Sequence, residues 1–228
     1  MFEERLDQIE SGIEEAKKRS GRTQDVTVVA VSKRFPLEDI TEMYAETGHV
    51  VYGENRIQEA VEKAEKLKAI PMIQLHFIGH IQTNKVKYLK DNFDLIHSVD
   101  SVRLAELMQK QFEKIDRVQD VLVQVNIAED ENKSGTGADD VYELCDFIMD
   151  SLNLNLRGLM MMPPLVDDVE DNRPYFAGMK KLFDKCNATK GYDIDILSMG
   201  MSGDHIIAVE EGSTMVRIGT ALFGQRQY

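Results

Sequence analysis

Cysteine, proline and positive charge are all scarce in this 228-residue chain, and tryptophan is absent. The two cysteines, Cys145 and Cys186, each sit inside an amphipathic helical pattern with no CxxC partner. They imply no disulfide framework. They read as small buried hydrophobes and fit a reducing, cytoplasmic compartment. Lys and Arg number 27 against 40 Asp and Glu, leaving a formal charge of −13. That balance argues against a nucleic-acid footprint or an anionic membrane surface, both of which need clustered cations. No apolar run approaches the ~18 residues of a transmembrane helix. The opening "MFEERLDQIESGIEEAKKRS" is charged throughout and lacks the apolar stretch of a signal peptide. There is no Gly/Ser linker, low-complexity tract or composition break, so one domain over 1–228 is expected.

What the chain does have is alternation. Short apolar, β-branched runs occur at 26–32, 49–53, 73–79, 94–99, 120–128, 156–162, 193–200 and 214–219. Amphipathic stretches separate them. In 101–115, Val102, Ala105, Met108, Phe112 and Ile115 recur at helical spacing, with Ser101 placed to cap the N-terminus. Another such stretch is 138–152, with Val141, Leu144, Cys145 and Ile148 on one stripe. Apolar strands alternating with amphipathic helices predict an α/β fold with a parallel sheet. Eight units predict a closed (β/α)8 TIM barrel, preceded by an extra helix over 3–19. A doubly wound open sheet is the alternative, but its G-x-G-x-x-G fingerprint after the first strand is missing.

Barrel chemistry gathers at the C-terminal ends of the strands. The first strand ends in Ser32-Lys33. The second runs into Glu54, Asn55 and Arg56, and the third into His80, Gln82, Asn84 and Lys85, read as opening a helix. The fifth is followed by "EDENKSGTG" (129–137), expected to be a mobile loop at the mouth. After the last two strands, "MGMSGD" and "RIGTALFG" carry Gly200, Ser202, Gly203, Gly219 and Thr220. Small residues at two adjacent strand-to-helix turns let backbone N–H groups face an anion. Arg217 adds positive charge. A lysine is a poor nucleophile near its usual pKa of ~10.4. Desolvation at the mouth, or nearby Arg34 and Arg217, would favour the neutral amine of Lys33. A neutral amine beside a phosphate cradle suits an aldehyde-bearing phosphate ester, and pyridoxal 5′-phosphate is the obvious candidate.

Other polar residues have plainer readings. The methionines at 160–162 fill space, and His76 reads as a barrel-wall histidine. Asp204-His205 lacks a third ligand at metal-like spacing, so no metal is expected.

"VAVSK", "YGENRIQE", "LHFIGHIQTNK", "HSVDS", "VQVN", "RGLMMMPP", "SMGMSGD" and "GSTMVRIGTALFG" together resemble the YggS/PROSC family of pyridoxal phosphate homeostasis proteins. The resemblance spans nearly the whole chain. It implies a barrel of the alanine-racemase N-terminal-domain type that holds pyridoxal 5′-phosphate as a lysine Schiff base, with no established catalysis. Carried over, Lys33 is the Schiff-base lysine and Asn55 a neighbour of the cofactor ring. Ser202, Gly219 and Thr220 resemble phosphate ligands, with Met201 close by. Arg217 resembles an arginine facing the pyridine nitrogen, where it would weaken the ring as an electron sink. Gly203 after Ser202 is a position where members vary. Alanine racemases carry a second, β-rich domain that supplies a catalytic tyrosine. This chain stops shortly after the eighth strand, and half of a two-base machinery is then missing.

The resemblance therefore predicts a non-catalytic protein of vitamin B6 homeostasis. It would buffer the cofactor or deliver it to apo-enzymes, and the missing domain favours a monomer. A weak racemase is the alternative, needing a second base such as Tyr52, His80 or His205. A phosphosugar enzyme is a third reading, weakened by the few strand-end acids: Glu54, Asp100 and Asp204.

Overall fold

The apolar runs become eight parallel strands: β1 (Thr27–Val31), β2 (Val51–Glu54), β3 (Gln74–Phe77), β4 (Leu95–Val99), β5 (Gln119–Val125), β6 (Leu154–Met161), β7 (Ile196–Met201) and β8 (Met215–Ile218). In the computed structural model, which describes residues 1–130 and 133–224, they pair in chain order and close through β1 and β8. The helices are α1 (Phe2–Ser20), α2 (Leu37–Thr47), α3 (Ile57–Leu67), α4 (Val102–Glu113), α5 (Val141–Met149), α6 (Arg173–Lys185), α7 (His205–Glu210) and α8 (Thr220–Phe223). This is the expected TIM barrel with its extra N-terminal helix. Helix α1 buries Phe2, Leu6, Ile9, Ile13 and Ala16 and packs on α7, α2 and α8, outside the β8–β1 seam. Its stop is Gly21, whose φ of 68° needs no Cβ to be accommodated.

Most of the core lies between the strands and the helix ring, where fully buried Phe77, Phe112, Phe176 and Met108 sit. Each such side chain contributes about 1.5–3 kcal/mol by leaving water. The barrel interior is a separate, smaller cluster of Val29, Leu95, Leu122, Met160 and Met215. Successive strand residues face opposite sides. The residues two or four further on from these therefore form the upper interior and the rim. That series gives Val31 and Lys33, His97, Gln124, Met162, Arg217 and Gly219. Alternation along the strands thus carries polar groups into the barrel and up to its mouth.

Three sequence readings shift locally. The segment after β3 is not an α-helix opened by His80: it is a 3-10 turn, Thr83–Tyr88, with Val86 and Leu89 buried beneath. Its apolar positions are too few for a longer stripe. The 101–115 helix ends at Glu113, and Ser101 caps it by accepting from the Leu104 N–H at 3.3 Å. Strand β5 ends at Val125 rather than 128 because the Asn126 side chain turns the chain, bonding both the N–H and the C=O of Asp130. Of loop 129–137, Glu131 and Asn132 lie outside the described residues. Lys133 donates to the Pro163 carbonyl at 2.7 Å, and Ser134 meets the His80 ring at 3.1 Å. Both cysteines are buried, as expected. Among the described residues, no helix is long and apolar enough to cross a membrane.

Candidate functional site

The loops following β1, β2, β3, β6, β7 and β8 frame one cavity of about 350 Å³ at the C-terminal mouth. Lys33, Asn55, Met201, Ser202, Arg217, Gly219 and Thr220 all line it. The seven residues expected to bind the cofactor thus reach one space, from four different strand ends. Val31, Ile78, Gly79, His80, Met162 and Gly203 complete the wall. Gly79 carried a sequence signal that went unread. A Cβ there would lie 2.1 Å from the Asn55 carbonyl oxygen, so only glycine lets the β2 and β3 ends approach this closely. A larger groove of about 760 Å³ lies outside the mouth around Arg19, Arg173 and Glu210. Arg19 and Arg173 are tied to Glu170, Glu210 and Glu211 there, so that groove has little charge left for an anion.

One end of the mouth cavity gathers backbone donors. The N–H groups of Gly219 and Ala221 both point at Ser202 Oγ, at 3.2 and 3.5 Å. Converging backbone donors of this kind are the usual cradle for phosphate oxygens. The turn bearing Ser202 is held from behind. Asp204 Oδ1 accepts from the Met201 N–H at 2.7 Å, and Asn172 donates to Asp204 Oδ2 at 3.2 Å. That commits Asp204 to structure rather than to the metal pair its neighbour His205 suggests. At Gly200 φ is +92°, and a Cβ would meet Ala208 Cβ at 2.6 Å, so the strand can bend into α7 only with glycine.

Arg217 is buried at the cavity floor. Burial pulls its pKa down to about 10, which still leaves it charged at neutral pH. Its Nη2 donates to the Met161 carbonyl at 2.8 Å and its Nη1 to Ser198 Oγ at 2.7 Å. From Ser198 a chain of rings descends into the barrel. His97 Nδ1 lies 3.1 Å from Ser198 Oγ, and His97 Nε2 lies 3.1 Å from His76 Nδ1. Arginine can only donate. Ser198 Oγ can donate to an unprotonated His97 Nδ1 or accept from a protonated one, with the His97–His76 bond running in the matching direction, so either tautomer satisfies the chain. Both rings are neutral in either arrangement. Burial agrees: it pulls His76 down to about 4 and His97 well below its ordinary value. His76 is thus a barrel-interior histidine that braces Arg217 indirectly.

Lys33 sits in a braced turn. Preceding it, Ser32 is fully buried, and its hydroxyl donates to Glu54 Oε1 at 2.7 Å. Lys63, on the buried stripe of α3, donates to the Ser32 carbonyl at 3.0 Å, to Glu54 Oε1 at 2.6 Å and to Glu59 Oε1 at 2.9 Å. Following Lys33, Arg34 has φ +66° and its N–H donates to Glu59 Oε1 at 2.8 Å. Arg34 is exposed and does not line the cavity. Burial raises the Glu54 pKa against the pull of Lys63. Among the described residues, Asn55 Oδ1 is buried with no hydrogen-bond partner. Lys63 was legible in principle: a lysine at the core position of Ile57, Ala60, Ala64 and Leu67 needs buried carboxylates.

The three candidate second bases separate. Tyr52 points away from the barrel interior, and its hydroxyl donates to the His49 carbonyl at 3.0 Å; burial raises its pKa further. His205 does not line the cavity either. His80 does, with Asp100 at 3.3 Å from its Nδ1.

Residues 5–227 match the alanine racemase, N-terminal domain, family. A pyridoxal phosphate homeostasis protein of Aquifex aeolicus is 43% identical over 99% of this chain and 98% of its own length. Another of that name, from Pasteurella multocida, is 39% identical over 100% of this chain and 98% of its own. Among solved structures, PipY of Synechococcus elongatus PCC7942 with PLP bound superposes with a TM-score of 0.85 at 32% identity, covering 98% of this chain and 100% of that one.

Proposed function

Since the chain belongs to the alanine racemase N-terminal-domain family, and within it to the pyridoxal phosphate homeostasis proteins, we propose that it binds pyridoxal 5′-phosphate at the barrel mouth. Its role is then to buffer that cofactor or deliver it to apo-enzymes, as one barrel domain over 1–228, a monomer in the cytoplasm. The carrying observation is that one 350 Å³ cavity holds an amine, a buried arginine and two converging backbone donors.

The residues present fit that group. Ser202, Gly219 and Thr220 would take the phosphate, with Met201 against the ring. Lys33 supplies the amine for the aldehyde. Asn55 Oδ1, a buried acceptor without a partner among the described residues, would take a hydrogen bond from the ring hydroxyl. Arg217 would face the ring nitrogen. When bound, the cofactor supplies a reactive aldehyde and an electron-withdrawing ring. A charged arginine has no lone pair to accept a proton and repels one placed opposite it. Arg217 therefore keeps the ring nitrogen unprotonated, which suits holding over turnover.

The racemase reading retains one specific support, His80 at the cavity wall beside Asp100. An absorbance spectrum of purified protein with pyridoxal phosphate, with and without Lys33→Ala, tests binding. The lysine-linked band is expected in the parent and absent in the variant; a colourless parent would sink the proposal. Exchange of the Cα hydrogen of amino acids in deuterium oxide tests turnover. Background exchange is expected, and robust exchange lost in Lys33→Ala would install the racemase instead.

A further inference from the structure

The two peptide planes flanking Lys33 are both anchored by one charged network. The plane before it ends in the Ser32 carbonyl, which accepts from Lys63 Nζ at 3.0 Å and from the Phe35 N–H of the turn at 3.1 Å. The plane after it carries the Arg34 N–H, which donates to Glu59 Oε1 at 2.8 Å. Rotation about φ of Lys33 moves it relative to the first plane, and rotation about ψ moves the second. Fixing both planes fixes the direction in which the Lys33 side chain leaves the backbone. The two anchors are themselves joined, since Lys63 Nζ also donates to Glu59 Oε1 at 2.9 Å and to Glu54 Oε1 at 2.6 Å. All three ammonium protons of Lys63 are used, and its side chain is only 8% exposed. Arg34 has a left-handed φ at the third position of the turn that the Phe35 N–H closes on the Ser32 carbonyl, and its N–H bond to Glu59 holds it there.

We propose that Lys63 and Glu59 are positioning residues that aim Lys33 at the aldehyde carbon of its ligand. The inference rests on the reading of Lys33 as the cofactor lysine. Attachment forms a C=N bond between Nζ and that carbon and releases water, with no oxidant or reductant. Its rate depends on where Nζ stands, whereas phosphate docking between the β7 and β8 turns does not. The two are therefore separable.

The test uses two ligands and four variants of the full chain. Pyridoxal phosphate reports attachment, followed by absorbance and by borohydride trapping with mass analysis of the Lys33 peptide. Pyridoxamine phosphate, which has no aldehyde, reports docking alone. Glu59→Ala removes the Arg34 anchor at a partly exposed position. Lys63→Met paired with Glu54→Gln removes the Lys63 bond to the Ser32 carbonyl, leaving only the Phe35 N–H on it, without leaving a buried charge alone. Both are expected to slow attachment about tenfold to a hundredfold, the cost of a misplacement near 1 Å. Pyridoxamine phosphate affinity should stay within about twofold. Glu59→Gln, which keeps an oxygen acceptor, should attach at the parent rate. Equal loss for both ligands would reduce the network to general stability, and unchanged attachment in both disrupted variants would refute the positioning role. If Lys33→Ala leaves trapping intact, the cofactor-lysine reading falls, and this inference with it.

Discussion

The neutral histidine pair inside the barrel makes stability fall with acid in a defined window. His76 has an ordinary pKa of 6.5 and is pulled down to about 4 in the fold by burial. The folded chain therefore refuses a proton that the unfolded chain accepts between those values. Stability is full above pH 6.5 and is lost progressively as pH falls toward 4. The groups facing this ring inside the barrel are His97, itself depressed, and through Ser198 the charged Arg217. Burial lowers the His76 pKa, and burial with the charge of Arg217 lowers that of His97. Linkage over that shift gives a loss of about 2.5 kcal/mol between pH 7.5 and 4.5 from His76 alone. His97 adds to it in the same direction. Carboxylates also titrate near the lower end, so the comparison must be internal. Urea unfolding of the parent and of His76→Gln at pH 7.5 and 4.5 gives two differences. The parent should lose about 2.5 kcal/mol more than the variant over that range. Parallel curves would show that His76 takes up a proton in the folded barrel at no cost, and the neutral-chain assignment would be wrong.

Further outcomes follow from the same geometry. Gly79→Ala drives a Cβ to 2.1 Å from the Asn55 carbonyl oxygen. It should destabilise by about 1–3 kcal/mol in thermal unfolding and weaken ligand binding at the same time. Ser202→Ala removes the acceptor shared by the Gly219 and Ala221 N–H groups. Titration calorimetry should show pyridoxal phosphate affinity falling about tenfold, with folding changed by under ~1 kcal/mol. Phe112→Ala, in the fully buried layer behind the strands, should cost about 3–5 kcal/mol without altering the ligand spectrum of the remaining folded protein. Arg173→Ala breaks a network with Glu170, Glu210 and Glu211 at a half-exposed position. Its cost should stay under ~1 kcal/mol and shrink in high salt.

The eight strands and most helices were readable along the chain because burial on both faces writes itself as continuous apolar residues, and burial on one face as a 3.6-residue period. The cap at Ser101 and the glycine-bearing turns at Gly200 and Gly219 are equally local. Strand-end position put Lys33, Asn55, Ser202 and Arg217 among the candidates, and the family resemblance gave each its expected role. What no local pattern could reveal was which of those groups are braced and by what. Arg34 looked like a neighbour of the Lys33 amine, yet its left-handed turn sends it to solvent. Tyr52, His80 and His205 were equal candidates as a second base, and only closure of the barrel set His80 alone of the three on the cavity wall. The Ser198–His97 bond joins residues 101 apart, and Lys63 reaches Ser32 across 31. Apolar burial is additive and non-directional, so a one-dimensional pattern records it. A hydrogen bond needs two particular atoms within about 3 Å, and only the closed ring of strands decides which atoms those are.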